Sequence, residues 1–340
     1  TASLSLYAGP LSTEEADPSW TAMSHTESSG SVMTSHTTGD VNDDGLADLL
    51  TAYPYMSEPD AFSEIRVLLG PLPTRPDLSR PDMRLKSEVA SSAILNPRGT
   101  WLGDLTGDGK TDILMYTTPD NTLILWSNPH GEMTTEADAT TLATIDTDPS
   151  SSISIDDYSG DGNPDLIIGY PGEGRVRLFE GPITDEVALY TADRTLSHPN
   201  PKFGTSLCSG DLMDDGHLAV AIATRGDMGD TSRIQVFSAM DDFASPLISI
   251  VGRDSHHIGT TLKCSDIDGD NKADLLTSHQ SLIEGDGGMA GTITMFHGSL
   301  GHLMDGTIEV SEKADRIWKG EDDGSIAWLG EHMFAGDFND

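Results

Sequence analysis

Asp40-Val-Asn42-Asp-Asp44-Gly45-Leu46-Ala-Asp48, running directly into Leu49-Leu50, is the stretch that decides the fold. The same nine-residue pattern returns three times: Asp104-Leu-Thr106-Gly-Asp108-Gly109-Lys110-Thr-Asp112 before Ile113-Leu114, Asp157-Tyr-Ser159-Gly-Asp161-Gly162-Asn163-Pro-Asp165 before Leu166-Ile167-Ile168, and Asp266-Ile-Asp268-Gly-Asp270-Asn271-Lys272-Ala-Asp274 before Leu275-Leu276. Oxygen-bearing side chains occupy positions 1, 3, 5 and 9 of every copy. Position 6 is glycine or asparagine, the residues that enter a left-handed turn at least cost. Position 7 (Leu46, Lys110, Asn163, Lys272) is where a calcium loop of this spacing offers its backbone carbonyl.

A hairpin whose Asp-Gly turn satisfies its own backbone is the simplest alternative to a metal loop. Against it, carboxylates crowded into nine residues repel at about 1 kcal/mol per pair even at water-like screening. Only Lys110 and Lys272 lie within the four loops to offset them. A divalent cation supplies the missing charge, and a flexible all-oxygen cage suits Ca2+ better than the strict octahedron of Mg2+. An EF-hand also needs a chelating glutamate at position 12 and flanking helices. Position 12 here is Thr51, Met115, Ile168 or Thr277, and the residues after position 9 form a short apolar run that reads as a buried strand. About four Ca2+ sites of strand-loop-strand type are expected. A fifth copy, from Asp211 to Ala219, keeps the turn but has Met213 and Ala219 at positions 3 and 9, so no ion is expected there. A sixth begins at Asp337 and reaches Asp340, the last residue of the sequence, which reads as a truncated unit.

The first aspartates, at 40, 104, 157, 211, 266 and 337, are 64, 53, 54, 55 and 71 residues apart. Such periods mark supersecondary units that bury their faces only against neighbours. Seven residues before the aspartate stands an apolar-Gly pair: Phe203-Gly204, Ile258-Gly259 and Leu329-Gly330. After the loop strand come turns such as Thr51-Ala52-Tyr53-Pro54 and Ile168-Gly169-Tyr170-Pro171. An alternating strand then ends in Gly-Pro at Gly70-Pro71 and Gly181-Pro182. Each unit offers about four short strands, and no stretch shows helical periodicity. The expected class is all-β, with four-stranded units repeated radially as a β-propeller; a parallel β-helix has far shorter repeats.

The apolar-Gly pair, the acidic loop and the Gly-Tyr-Pro turn together resemble the FG-GAP repeat of integrin α propellers and of bacterial secreted proteins, including those labelled VCBS repeats. The resemblance covers roughly residues 28 to 340, and it implies a ring of six or seven blades, seven favoured, as a single domain over 1–340. Units are expected near 28–72, 93–129, 151–182, 203–240, 258–298 and, truncated, 326–340. The strand at 1–10 belongs to an incomplete blade.

A net charge of −37 argues against nucleic acid and anionic membrane surfaces as partners. No apolar run is long enough to span a membrane. Calcium loops of modest affinity work where Ca2+ is millimolar, so a secreted or cell-surface location is expected. Cys208 and Cys264 precede the aspartates of adjacent loops by three and two residues. Opposite parity aims them at opposite sheet faces, which are the facing sides of neighbouring blades. An inter-blade disulfide and two buried free thiols both remain open on this reading.

No catalytic constellation stands out: there is no nucleophile elbow, His-Glu-x-x-His or phosphate-cradling glycine loop. His256-His257 reads as structural, and Arg225-Gly226-Asp227 is short enough to arise by chance. Trp101, Trp126, Trp318 and Trp328 fall out of phase with the repeat, which weighs against a sugar site in each blade. The expected role is non-enzymatic: a binding or adhesion module for an extracellular protein or polysaccharide. The alternatives are the propeller of a polysaccharide-lyase-like enzyme, or a lectin.

Overall fold

The computed structural model describes residues 35–53, 64–72, 77, 80–86, 93–119, 122–144, 152–184, 191–226, 231–239, 243–252, 257–270, 272–282, 289–303, 307–319 and 333. The strand expected at 1–10, the unit at 326–340, Trp328, His256, Asp227 and Asn271 lie outside them.

Each loop that continues into an apolar strand produces one four-stranded antiparallel meander. Blade A is β1 (Ser35–Gly39), β2 (Asp48–Tyr53), β3 (Glu64–Leu68) and β4 (Met83–Lys86). Blade B is β5 (Ala93–Gly103), β6 (Asp112–Pro119), β7 (Thr122–Trp126) and, after β8 (Glu132–Thr134) and the one-turn α1 (Thr135–Asp138), β9 (Ala139–Thr144). Blade C is β10 (Ile153–Asp156), β11 (Asp165–Tyr170), β12 (Arg175–Phe179) and β13 (Arg194–Ser197). Blade D is β14 (Phe203–Gly210), β15 (Ala219–Thr224), β16 (Arg233–Ser238) and β17 (Ile248–Val251). Blade E is β18 (His257–Ser265), β19 (Asp274–Leu282), β20 (Met289–Phe296) and, beyond β21 (Thr307–Glu309) and α2 (Val310–Lys313), β22 (Arg316–Lys319).

The fold is therefore an all-β propeller type, but with five blades among the described residues in place of the expected six or seven. Five loops run on into an apolar strand in this sequence, and each gives one sheet. The sheets fall into two compact units, one holding A and B with the segment Gly181–Thr191, the other holding C, D and E. Val41, Ile65, Leu85, Ile113 and Trp126 join one core in the first unit. Two cores fill the second, one around Ile167, Phe203 and Phe237, the other around Val236, Ile258 and Leu275. All six residues of β11 and of β15 are buried, as the unbroken apolar runs after the loops require, whereas β12 is exposed at Arg175 and partly exposed at Arg177.

The apolar-Gly pair has a definite job in the second unit. Phe203 and Ile258 are fully buried, and β14 and β18 each slip register just beyond them, the mark of a β-bulge. Gly204 and Gly259 sit at the bulges with φ of +86° and +76°. Each packs on the fifth residue of the preceding blade's second strand. A Cβ on Gly259 would lie 2.6 Å from the Cβ of Ala223, and one on Gly169 would lie 2.2 Å from the Gly204 carbonyl oxygen. The two halves of the repeat are thus the two sides of one close backbone approach between neighbouring blades.

Two further clamps were not legible in the sequence. The connection before a blade's last strand reaches back and adds a parallel fifth strand to the preceding blade: β8 on β4, with the Arg84 amide donating to the Gly131 carbonyl at 2.7 Å, and β21 on β17. Cys208 and Cys264 are joined as a disulfide between β14 and β18, with Cα atoms 5.5 Å apart, which decides between a bridge and two free thiols.

Candidate metal loops

The hairpin itself is held by its own carboxylates. In the first loop Asp40 accepts from the amides of Asp44 (3.1 Å) and Gly45 (2.7 Å), and Asp44 accepts from the amide of Leu46 (2.9 Å). Asp104 and Asp108 repeat these bonds toward Asp108, Gly109 and Lys110. Asp157 and Asp161 do so toward Asp161, Gly162 and Asn163. In the last intact loop Asp266 receives the amides of Gly269 and Asp270, and Asp270 that of Lys272. The loop at Asp211, which lacks oxygens at positions 3 and 9, makes the same three bonds to Asp215, Gly216 and His217. Turn geometry is therefore common to complete and decayed copies and does not identify an ion site.

Positions 9 and 3 separate the two kinds. Asp48, Asp112, Asp165 and Asp274 have no exposed surface. Three of these buried carboxylates are gripped from two sides. Asp48 accepts from the amides of Val41 (2.8 Å) and Gly70 (2.7 Å), Asp112 from Thr106 (2.9 Å) and Asn128 (3.2 Å), and Asp274 from Ile267 (2.9 Å) and Gly298 (2.7 Å). Asp165 accepts from the Ser159 amide at 2.7 Å. Burial pushes the carboxyls of Asp48, Asp112 and Asp274 above their ordinary range, with neighbouring loop aspartates adding to the rise. At the base of these three loops the amide donors only partly offset the cost of burying the carboxylate. Asp108, by contrast, is lowered, chiefly by the Asn128 side chain donating to it at 2.8 Å.

At position 3, Thr106 Oγ1 and Ser159 Oγ are enclosed without a well-formed hydrogen bond, and the Thr106 hydroxyl lies beside Asp108 and Asp112. Asn42 instead spans the first loop, its Nδ2 on Asp44 Oδ2 at 2.9 Å. Oxygens of Asp266, Asp268 and Asp270 lie within 4.8 Å of one another. Orphaned hydroxyls beside crowded carboxylates are the donor set that a hard cation such as Ca2+ would satisfy, so the residues fit that ion. The expected ligands Asp40, Asn42, Asp44, Asp48, Asp104, Thr106, Asp108, Asp112, Asp157, Ser159, Asp161, Asp165, Asp266, Asp268, Asp270 and Asp274 all lie in these loops, and close grouping of three carboxylates is found for Asp266, Asp268 and Asp270. At position 7, Leu46, Lys110, Asn163 and Lys272 are placed by their amides. The Lys272 side chain leaves its own loop to pair with Asp214 of the neighbouring one at 2.9 Å.

Sequence reasoning missed the anchor at position 2. Val41, Leu105, Tyr158 and Leu212 are buried beneath their loops. The carbonyls of Leu105 and Leu212 accept the amides of Ile183 (2.7 Å) and Leu300 (2.8 Å), residues four beyond the ends of β12 and β20. The signal was available: position 2 is apolar or aromatic in every copy. Position 4 was also missed. Asp43 and Asp214 adopt φ of 58° and 57° where the other loops have glycine, and each reaches the next loop, Asp43 to Thr111 at 3.0 Å and Asp214 to Lys272.

Acidic loops with these anchors, on four-stranded antiparallel meanders, define a protein of the β-propeller class. Residues 104–168 match the family model of the FG-GAP-like repeat, spanning the second loop and the third. The chain is 27% identical over 209 residues to the phosphatidylinositol-glycan-specific phospholipase D of Bos taurus, a match covering 54% of this chain and 24% of that protein. Among solved structures it is similar to the Dos1 propeller, with a TM-score of 0.41, 11% identity, and 84% of this chain and 64% of that one covered. An exotype rhamnogalacturonan lyase gives a TM-score of 0.36, 8% identity and coverage of 88% and 68%. No helix among the described residues is long and apolar enough to cross a membrane.

Proposed function

We propose that this chain is an extracellular, calcium-stabilised propeller that binds a protein or polysaccharide ligand and performs no catalysis itself. The observation that carries the reading is the contrast between loops. Four have a buried position-9 carboxylate and an oxygen-bearing residue at position 3, and the copy at Asp211 has neither while keeping its turn. Retaining costly buried carboxylates in four places, where the turn does not need them, favours an ion as their counter-charge. The Cys208–Cys264 disulfide fits an oxidising compartment, and a compartment rich in Ca2+ is where such loops fill. Calcium here is structural: it fixes the ends of the second strands and leaves the ligand to other surfaces.

The test is retention of the purified chain on a panel of polysaccharides and extracellular-matrix proteins, in millimolar Ca2+ and in chelator, scored also for new unsaturated sugar ends. Ca2+-dependent retention without turnover is expected. Appearance of unsaturated ends would replace this reading with that of a lyase.

A further inference from the structure

The loop at Asp266 differs from the other three intact loops in one donor. The residue after the third strand of the blade is Leu69 in A, Ser127 in B, Glu180 in C and His297 in E. His297 is placed firmly, its backbone amide donating to Asp315 at 2.9 Å. Its ring is 32% exposed, yet Nδ1 has no accessible surface. That nitrogen stands 2.8 Å from Asp268 Oδ2 and 3.7 Å from Asp274 Oδ1, and it makes no hydrogen bond of acceptable geometry. The donor atoms of Asp268, Asp274 and His297 lie within 4.8 Å of one another.

We propose that Asp268, Asp274 and His297 make the base of this loop a cation site selective for a borderline metal ion such as Zn2+, which binds there in place of Ca2+. Imidazole nitrogen suits first-row transition metals and zinc, whereas Ca2+ takes oxygen. Ligand atoms bound at about 2.0–2.1 Å to one zinc ion lie roughly 3 to 3.5 Å apart, close to the separations found here. The carboxylate that completes the set, on Asp274, is buried and pinned by two amides, so it is already oriented before any ion arrives. Lys272, the lysine nearest the loop, is occupied with Asp214 and does not fill the base. The calcium set of this loop, Asp266, Asp268, Asp270 and Asp274, shares Asp268 and Asp274 with this one, so the two ions compete for the loop. The inference rests on the reading of this loop as a cation site, and what sets it apart is the imidazole that the other three intact loops lack.

The experiment uses the full chain stripped with chelator, then titrated with Zn2+ in millimolar Ca2+, with Co2+ absorption as a second readout. One equivalent of Zn2+ that Ca2+ does not displace is expected, with a Co2+ spectrum showing nitrogen coordination. His297→Gln should weaken that equivalent at least tenfold, by analogy with the 10- to 100-fold losses seen when even outer partners of a metal ligand are removed. Its Ca2+-dependent melting should be unchanged, which keeps failure of this site distinct from failure of the calcium reading. His297→Asn serves as the second variant if His297→Gln does not fold, and should lose the same equivalent while leaving every calcium ligand in place. The proposal is overturned if Ca2+ displaces all Zn2+ from the wild type, or if the variant binds Zn2+ as tightly as the wild type; the latter means that other histidines bind it and that His297 is only an ion-pair partner of Asp268.

Discussion

Gly169 of blade C and Gly204 of blade D meet backbone to backbone: a methyl group at Gly169 would fall 2.2 Å from the Gly204 carbonyl oxygen and from Ser152 Oγ. The obstruction is main chain, held by the Ser152 hydroxyl donating to that same carbonyl, so no side-chain rotation relieves it. Gly169→Ala is expected to cost about 3 kcal/mol, the upper part of the range for overpacking a well-filled site. Gly162→Ala is the control: its φ is +91° but nothing lies within 4 Å, so it should lose only the left-handed penalty, about 1–2 kcal/mol. Urea denaturation of both variants decides it, and equal losses would remove the close-contact account.

Chelation should lower the melting temperature by many degrees. At Ca2+ tenfold above the dissociation constant each site adds about 1.4 kcal/mol, so four add roughly 5 to 6 kcal/mol. Calorimetric titration should count four Ca2+. Asp48→Asn should reduce the count by one, and Asp211→Asn should leave it unchanged. A melt that EGTA does not move ends the metal reading.

The disulfide joins residues 56 apart in sequence, on β14 and β18. Replacing both cysteines with serine should cost about 3 to 4 kcal/mol, mostly by freeing the unfolded chain. Thiol titration of the unfolded, unreduced protein should find none; two titratable thiols would contradict the pairing.

Asp156 is held between β10 and β14, accepting from Ser209 Oγ at 3.1 Å, and burial pushes its carboxyl above the ordinary range. A raised carboxyl pKa means that ionisation opposes folding. That cost is present at pH above the folded pKa and fades as acid protonates the group in the folded state. In chelator at neutral pH, Asp156→Asn should therefore melt higher than the wild type, and the gap should close as the pH is lowered toward about 4. Thermal melts across that window test the sign: a gap that widens in acid would show that the ionised form stabilises the fold.

The sequence by itself determined the repeat and the strand-loop-strand unit. Those depend on spacing within nine residues: the aspartates at positions 1 and 5 accept the turn's own amides wherever it forms, and Leu49-Leu50 or Ile167-Ile168 read as buried strand. It also placed Cys208 and Cys264 on facing sides, since strand parity is local, but it left open whether their sulfurs meet. Contacts between units lay beyond it. Nothing within one repeat shows that Gly204 rests on Gly169, that β8 and β21 turn back onto the preceding blade, that Lys272 answers Asp214, or that His297 reaches the base of the loop begun at Asp266 some thirty residues earlier. Those relationships exist only when neighbouring strands and sheets pack, because a strand's own hydrogen bonds and alternation fix which way its side chains point but not what stands opposite them.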